Sequence, residues 1–256
     1  MYPEPTTIQL LGHATFKITT PEKKVILVDP WLFDNPYIPR GLEQQPVVDL
    51  MLVTHGHEDH MDIRLKELID QTSPTIIANN ICRRFLIEQA VEEGLFEPMN
   101  LGGSLQVHGV TVTMVNAFHH AHVYLTEKTV TFPHAANGFV VCLSDGTTVY
   151  FAGDTCVFGD MQLIRELYQP TIAVLPIGGR SMMGALEAAH AVKLLQVDHV
   201  IPFHYGTAPE HTQTPDEFVA RTRQYPNTHI HLLQAGQVLD CSSMTVGAMA
   251  NPESAL

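Results

Sequence analysis

The chain is poor in positive charge: 14 lysines and arginines stand against 27 aspartates and glutamates, a formal net charge of −13. That balance offers phosphate backbones no general attraction and counts against a nucleic-acid binder. It counts equally against docking on anionic membrane surfaces. Long apolar runs are missing as well, none approaching the roughly 18 residues of a membrane-spanning helix, so no integral membrane segment is expected. The N-terminal MYPEPTTIQL has no basic stretch followed by an apolar one, and no secretory signal is read there. Cysteine is scarce. Cys82, Cys142, Cys156 and Cys241 are scattered, without a CxxC pair or a short-loop framework. That reads as reduced thiols in a cytoplasmic protein. Repeats, low-complexity tracts and an obvious linker are absent too. The expectation is one domain over residues 1–256, with 241–256 as a loose tail.

What is present is enough length and enough apolar content, 256 residues at 45% hydrophobic, to bury a sizeable core. TTIQLLGHATFKIT and KKVILVDPWL read as two strands joined at Pro21-Glu22. Residues 33–46, rich in Pro, Gly and Asn, read as a surface loop. VVDLMLVTH is almost continuously apolar, as a strand covered on both faces is. DIRLKELID, ICRRFLIEQAVEEG, GDMQLIRELYQ, ALEAAHAVKLLQ and TPDEFVARTRQY read as helices, the second stopped at Gly94. SPTIIANN, LQVHGVTVTMVNAFHH (two strands about His108-Gly109), TIAVLPIGG, DHVIPFHYG and THIHLLQAGQVLD read as strands. GFVVCLSDGTTVYFAGDT reads as a hairpin about Asp145-Gly146. HAHVYLTEKTVTFPHAAN has no regular period and reads as an irregular insert. Strands followed by helices, twice over, fit two sheets packed face to face with helices outside both.

Histidine is in excess, with 15 in the chain, and the densest group is Thr54–His60, THGHEDH, directly after the apolar run. Neutral imidazole nitrogen and carboxylate oxygen are the ligands of zinc and its borderline neighbours. His-x-His at a strand end brings two imidazoles within reach of one point. Asp59 and His60 are expected at the start of the following helix, where the dipole favours an acid. Two plus two ligands are more than a single tetrahedral ion needs, so the spacing points to two ions side by side. A solvated polar turn is the competing reading, and four ligands in six positions weigh against it.

HGHEDH resembles the H-x-H-x-D-H motif of the metallo-β-lactamase fold superfamily. The later signals come in that family's order over nearly the whole chain: His119 in VNAFHH, Asp154 in FAGDT and His204 in PFHYG. The resemblance implies an α/β fold, an αββα sandwich of two mixed β-sheets with helices on both outer faces and two metal ions at one edge. By it, His55, His57 and His119 hold a first ion, Asp59, His60 and His204 a second, and Asp154 bridges both. His120 adjoins His119 and competes for the third place at the first ion; the A-x-H in Ala117-Phe118-His119 favours His119. LLGHATF, VDPWL, YFAGDTCVFGDMQLI, LPIGG and PFHYGT are similar to one branch in particular. It is the uncharacterised metal-dependent hydrolases related to L-ascorbate-6-phosphate lactonase and, more distantly, to the phospholipase D that cleaves N-acyl-phosphatidylethanolamine.

Paired ions about 3.5–4 Å apart lower the pKa of a shared water and clamp an in-line displacement. Two divalent ions, two aspartates and a bridging hydroxide sum to about +1 inside a strongly negative protein. The site then attracts a polarised or anionic group while the rest of the surface repels polyanions. The expected activity is cleavage of an ester, lactone or phosphodiester in a small or lipid-like substrate. The bridging hydroxide is the expected nucleophile, Asp59 and Asp154 are the catalytic acids, and Asp59 moves the proton. The donor set accepts Zn, Mn, Fe or Ni. Asp29 is expected to orient a ligand or to cap a turn. His13 is read as a substrate contact, an outer partner or a core histidine. His120, His122 and His134 in the insert, and Tyr205 with Thr207, are candidate substrate contacts. His108, His190, His199, His211, His229 and His231 have no ligand spacing, and Cys156 reads as a buried thiol. The alternative is a mononuclear iron oxidoreductase of the sulfur dioxygenase type on the same fold; the full ligand set favours two metals.

Overall fold

The computed structural model describes residues 4–126, 129–207, 214–242 and 244, with the side chains of 124–134 outside that description. The first layer is a six-stranded sheet. It comprises β1 (Thr7–Gly12), β2 (Thr15–Thr19), β3 (Val25–Val28), β4 (Leu50–Val53), β5 (Thr75–Ala78) and β13 (Val238–Asp240), in the order β13-β1-β2-β3-β4-β5. The second is a seven-stranded sheet of β6 (Ser104–Val107), β7 (Val110–Thr126), β8 (Thr129–Cys142), β9 (Thr148–Phe151), β10 (Ile172–Pro176), β11 (His199–Phe203) and β12 (His229–Ile230). Its order is β12-β11-β10-β9-β8-β7-β6. Both are mixed: β3-β4-β5 and β9-β10-β11-β12 pair parallel, the rest antiparallel. Helices α1 (Leu65–Thr72) and α2 (Asn80–Glu88) cover the first sheet. Helices α3 (Met161–Tyr168), α4 (Ala185–Leu195) and α5 (Pro215–Thr222) cover the second. Among the described residues no helix is long and apolar enough to cross a membrane.

Side-chain alternation explains the layers. Ile26, Val28, Leu50 and Leu52 point between the sheets, whereas Leu27, Met51 and Val53 point out to α1 and α2. Every one of those positions is apolar, which is why LMLV of β4 is an unbroken apolar run. The inner core is closed by Phe16, whose ring stands edge-on to Phe151 and Phe203, each at 5.8 Å. Deleting such a ring costs about 3–5 kcal/mol.

Several expectations need correction. TTIQLLGHATFKIT is two strands, because His13 adopts φ 57° and reverses the chain. Helix α2 ends at Glu88 rather than Gly94: Ala90 takes φ 64°, and the Val91 N–H returns to Leu86 O so that Val91 is buried. Asp59 and His60 lie in a turn, with His60 and Met61 N–H both donating to His57 O, and α1 begins only at Leu65. The irregular insert is a continuation of the β7–β8 hairpin. Its ladder shifts register at Asn116/His120, Val123/Tyr124 and Tyr124/Thr126. Such bulges erase the period of two that a strand otherwise shows in its sequence. THIHLLQAGQVLD supplies two short strands in different sheets, separated by a turn at Gly236 (φ 85°). The loose tail is anchored where it begins. Cys241 is buried with its N–H on Thr6 O, and Met244 packs on the inner core; residues 245–256 lie outside the described residues.

Candidate metal centre

One edge of the sandwich collects the chemistry. Asp29 follows β3, His55 follows β4, Asp154 follows β9 and His204 follows β11, all at carboxyl ends of parallel strands. His13 sits in the β1–β2 turn at that same edge. His119 arrives differently. Between Asn116↔Asn137 and His120↔Ala135, β7 spends two residues more than β8. This bulge turns His119 inward and leaves His120 exposed. Gly178, beyond β10, is required by close approach, since a Cβ there would lie 2.2 Å from His204 O. Gly12 serves the same purpose on the other side: a Cβ would lie 2.8 Å from Tyr37 O, in the loop that covers His13.

The imidazoles of His55, His57 and His119 converge. His55 Nε2 is 3.1 Å from His57 Nδ1, which is 3.2 Å from His119 Nε2. A second group comprises His13, Asp59, His60 and His204, whose ligand atoms all lie within 4.8 Å of one another. Asp154 lies between the two. Its Oδ1 is 3.5 Å from His60 Nε2, and its Oδ2 is 3.6 Å from His204 Nε2 and 3.8 Å from His119 Nε2. His60 Nε2 and Asp154 Oδ1 are buried and carry no hydrogen bond among the described residues. They face each other at 3.5 Å, longer than a good hydrogen bond. Ligand atoms about 2.0–2.1 Å from a tetrahedral zinc sit about 3.3 Å apart. The observed spacings and the imidazole–carboxylate donor set fit the binding of divalent metal.

Outer partners fix the ring orientations. Asp29 is buried and accepts from His60 Nδ1 (2.8 Å), the Thr54 hydroxyl (2.7 Å) and the Thr54 N–H (2.7 Å). His60 therefore presents Nε2 inward, as a carboxylate–histidine pair does for a metal. The Thr54 hydroxyl also meets His55 Nδ1 at 3.0 Å. With the same hydroxyl donating to Asp29, it accepts from His55 Nδ1–H, which leaves Nε2 as the lone pair facing His57.

Charge balance follows from burial. Burial holds His57 and His13 down to about 4, and His55 and His119 are lowered for the same first reason. These rings stay neutral near pH 7, the state in which imidazole ligates. His60 is the exception: burial would lower it, but Asp154, Asp59 and Asp29 hold it well above the usual range. Burial would raise both carboxylic acids; His60, His13 and His204 hold Asp59 well below the ordinary range, and His204 and His60 do so for Asp154. The two acids differ in access, with the Asp59 side chain 33% exposed and that of Asp154 3%.

The residues read from sequence divide accordingly. His55, His57, Asp59, His60, His119, Asp154 and His204 are brought together, with Asp29 on His60 and His13 beside Asp59 and His204. The His122 ring stands 4.7 Å from that of His57. His120 lies on the wall of an open cavity of about 300 Å³ with Asn116, Ala117, Phe118, His119 and Ala135. The side chain of His134 lies outside the described residues. Tyr205 packs instead with the apolar cluster under α3, α4 and α5, and it is Thr207 that reaches the centre, 2.6 Å from His13 Nδ1. Cys156 is exposed rather than buried, since its backbone N–H is tied to Phe118 O and its thiol faces out. Sequence reasoning passed over Thr54, Asn79 and Asn137. Asn79 caps α2 and donates to Asn137 Oδ1 (3.2 Å), while the Asn137 N–H donates to Thr54 O, joining the two sheets beneath the centre. VTH and ANN carry no pattern that marks these roles.

A model of the β-lactamase superfamily domain matches residues 7–204. The UPF0173 metal-dependent hydrolase of Rubrobacter xylanophilus is 45% identical over 235 residues, covering 91% of this chain and 96% of that protein. A protein of the same name from Chloroflexus aurantiacus is 37% identical over 234 residues, covering 90% of this chain and 96% of that protein. The solved structure of Igni18, described as a novel metallo hydrolase from Ignicoccus hospitalis, matches with a TM-score of 0.77 at 29% identity. It covers 91% of this chain and 97% of that one.

Proposed function

This chain belongs to the metallo-β-lactamase superfamily, among its metal-dependent hydrolases, and on that premise we propose that it cleaves an ester, lactone or phosphodiester bond in a small or lipid-like substrate with two divalent ions. The observation that carries this reading is the convergence of seven side chains from both sheets, with Asp154 between two groups of ligands. His55, His57 and His119 would hold one ion, Asp59, His60 and His204 the other, and Asp154 both. Two such ions acidify a shared water and polarise the oxygen of the bond to be cut.

The chain supplies the rest. Asp154 is buried and stays charged, so it balances the ions without taking part in proton traffic. Asp59 is the more exposed acid and accepts the proton lost from water. Asp29 keeps the His60 ring from rotating. The cavity beside His119, with Ala117, Phe118 and Ala135 on its wall, receives the apolar part of the substrate. The resemblance to the lactonase and phospholipase branch supports the same bond types.

The test is a panel of small lactones, esters and phosphodiesters, assayed with protein reconstituted in zinc, manganese, iron or nickel. Turnover that needs about two ions per chain and vanishes in Asp154→Ala supports the proposal. One iron per chain with oxygen uptake would replace it with the dioxygenase reading.

A further inference from the structure

His13 makes a closed figure with two residues of the second ligand group. His13 Nε2 is 3.0 Å from Asp59 Oδ2 and 3.1 Å from His204 Nε2, and His204 Nε2 is 3.3 Å from Asp59 Oδ2. Three acceptor atoms at the corners of such a triangle repel one another unless a proton or a cation lies among them. The other ring nitrogen, Nδ1, already has a partner in the Thr207 hydroxyl at 2.6 Å. With Nδ1–H donating to that hydroxyl, Nε2 carries its lone pair into the triangle.

The placement of the ring is costly and tightly held. His13 adopts φ 57°, a conformation uncommon outside glycine, in a turn where Gly12 is hemmed in by Tyr37 and Ile38. Trp31 meets the imidazole edge-on at 5.4 Å and Tyr37 stacks on it at 5.9 Å. The side chain is 3% exposed. Strain, aromatic walls and an outer hydroxyl together present one nitrogen to Asp59, His60 and His204.

We propose that His13 is itself a ligand of the second ion, which is then held by His13, Asp59, His60 and His204 together with Asp154. This deepens the paired-ion reading and rests on it. The consequence is a division of labour between the ions. With one more protein ligand than the first, the second ion would be bound the more tightly; the first, held by three imidazoles and Asp154, would keep the more open side next to the cavity where substrate binds, and the water shared between them would remain.

The experiment is a cobalt titration of metal-free full-length protein, followed by visible absorption and competition with a chelator. The wild type is expected to take two ions of unequal affinity. In His13→Asn, which tolerates the left-handed turn, the first ion is unchanged and the second weakens by more than about 100-fold, with its absorption altered. Loss of an outer partner alone costs about 10–100-fold, so a change of about 100-fold or less, with unaltered absorption, overturns the assignment. Thr207→Val leaves the turn intact and gives the second measurement. It is expected to weaken only the second ion, by about 10–100-fold, and no change in either ion overturns the proposal independently. A wild-type titration that stops at one ion sinks the paired-ion reading and this one together. Two ions in the wild type, with both retained at full strength in His13→Asn, sinks only the role of His13.

Discussion

Among the described residues histidine gathers in two places, at opposite ends of β11. His204 follows the last residue of the strand and joins the centre; His199 begins the strand and pairs with His229 of β12. The His199 ring lies 5.4 Å from His229 and 5.2 Å from His231, and its Nδ1 is 3.0 Å from His231 Nε2. Burial lowers both His199 and His231, the latter to about 4. In the lowered proton affinity of His199 and His231 the far gathering resembles His13, His55, His57 and His119 of the centre. They differ in what surrounds the rings. At the centre, aspartates lie within 4 Å of His13, His60, His119 and His204, and Asp29 and Thr54 fix two rings from behind. The far trio is half-buried to exposed, and among the described residues its nitrogens do not gather as a group of three ligand atoms. Imidazoles alone do not make the centre. It takes carboxylates to supply charge and outer partners to aim the lone pairs.

That comparison can be broken most severely at Asp154. Asp154→Ala removes the one acid between the ligand groups and is expected to lower kcat/KM by at least about 10²–10³-fold, the scale of losing one preorganised electrostatic partner. Steady-state kinetics with metal analysis checks it; turnover within tenfold of wild type would mean that the charge at this position is dispensable. Asp29→Asn keeps the shape but weakens the hold on His60 and is expected to cost about 10–100-fold in metal affinity. Chelator competition reads that change, and unaltered affinity would reduce Asp29 to a turn residue.

Acid should separate the native and unfolded chains in the metal-free protein. His13 and His57 titrate near 4 when folded against an ordinary 6.5, and His55 and His119 are shifted the same way. Between those values the unfolded chain binds more protons, so stability falls as pH drops from about 6.5 to about 4. His60 has the opposite sign; its contribution is complete below 6.5 and is lost as pH rises through its raised folded value. Denaturant midpoints of chelated protein at pH 6.5, 5.5 and 4.5 should fall in that order, and a flat series would contradict the burial of these rings. Milder effects are expected at the periphery. Phe118→Ala opens the cavity wall and should raise KM by about 2–10-fold for a substrate with an apolar group, the worth of one aromatic contact. The smallest effect closes the comparison. His199→Ala and His231→Ala should leave kcat/KM within about twofold, since surface changes away from such features are usually near neutral. A larger loss of activity would show that the far trio takes part.

The sequence by itself determined the layers and marked the candidate ligands. An apolar run such as VVDLMLV must be covered on both sides, and His-x-His-x-Asp-His at its end brings lone pairs to one point whatever follows. Both are local regularities, repeated over a few residues, and need no partner to be seen. Tertiary structure decided what depends on long range. Whether His119 or His120 turns inward rests on a bulge in β7, defined only by its register against β8. That Thr207 rather than Tyr205 touches the centre depends on where β11 hands over to its loop. That His13 lies 3.1 Å from His204, 191 residues away, requires both sheets to end at one edge. No period along the chain records such contacts, because they are made by the packing of separate strands and exist only once the two sheets have closed on their shared core.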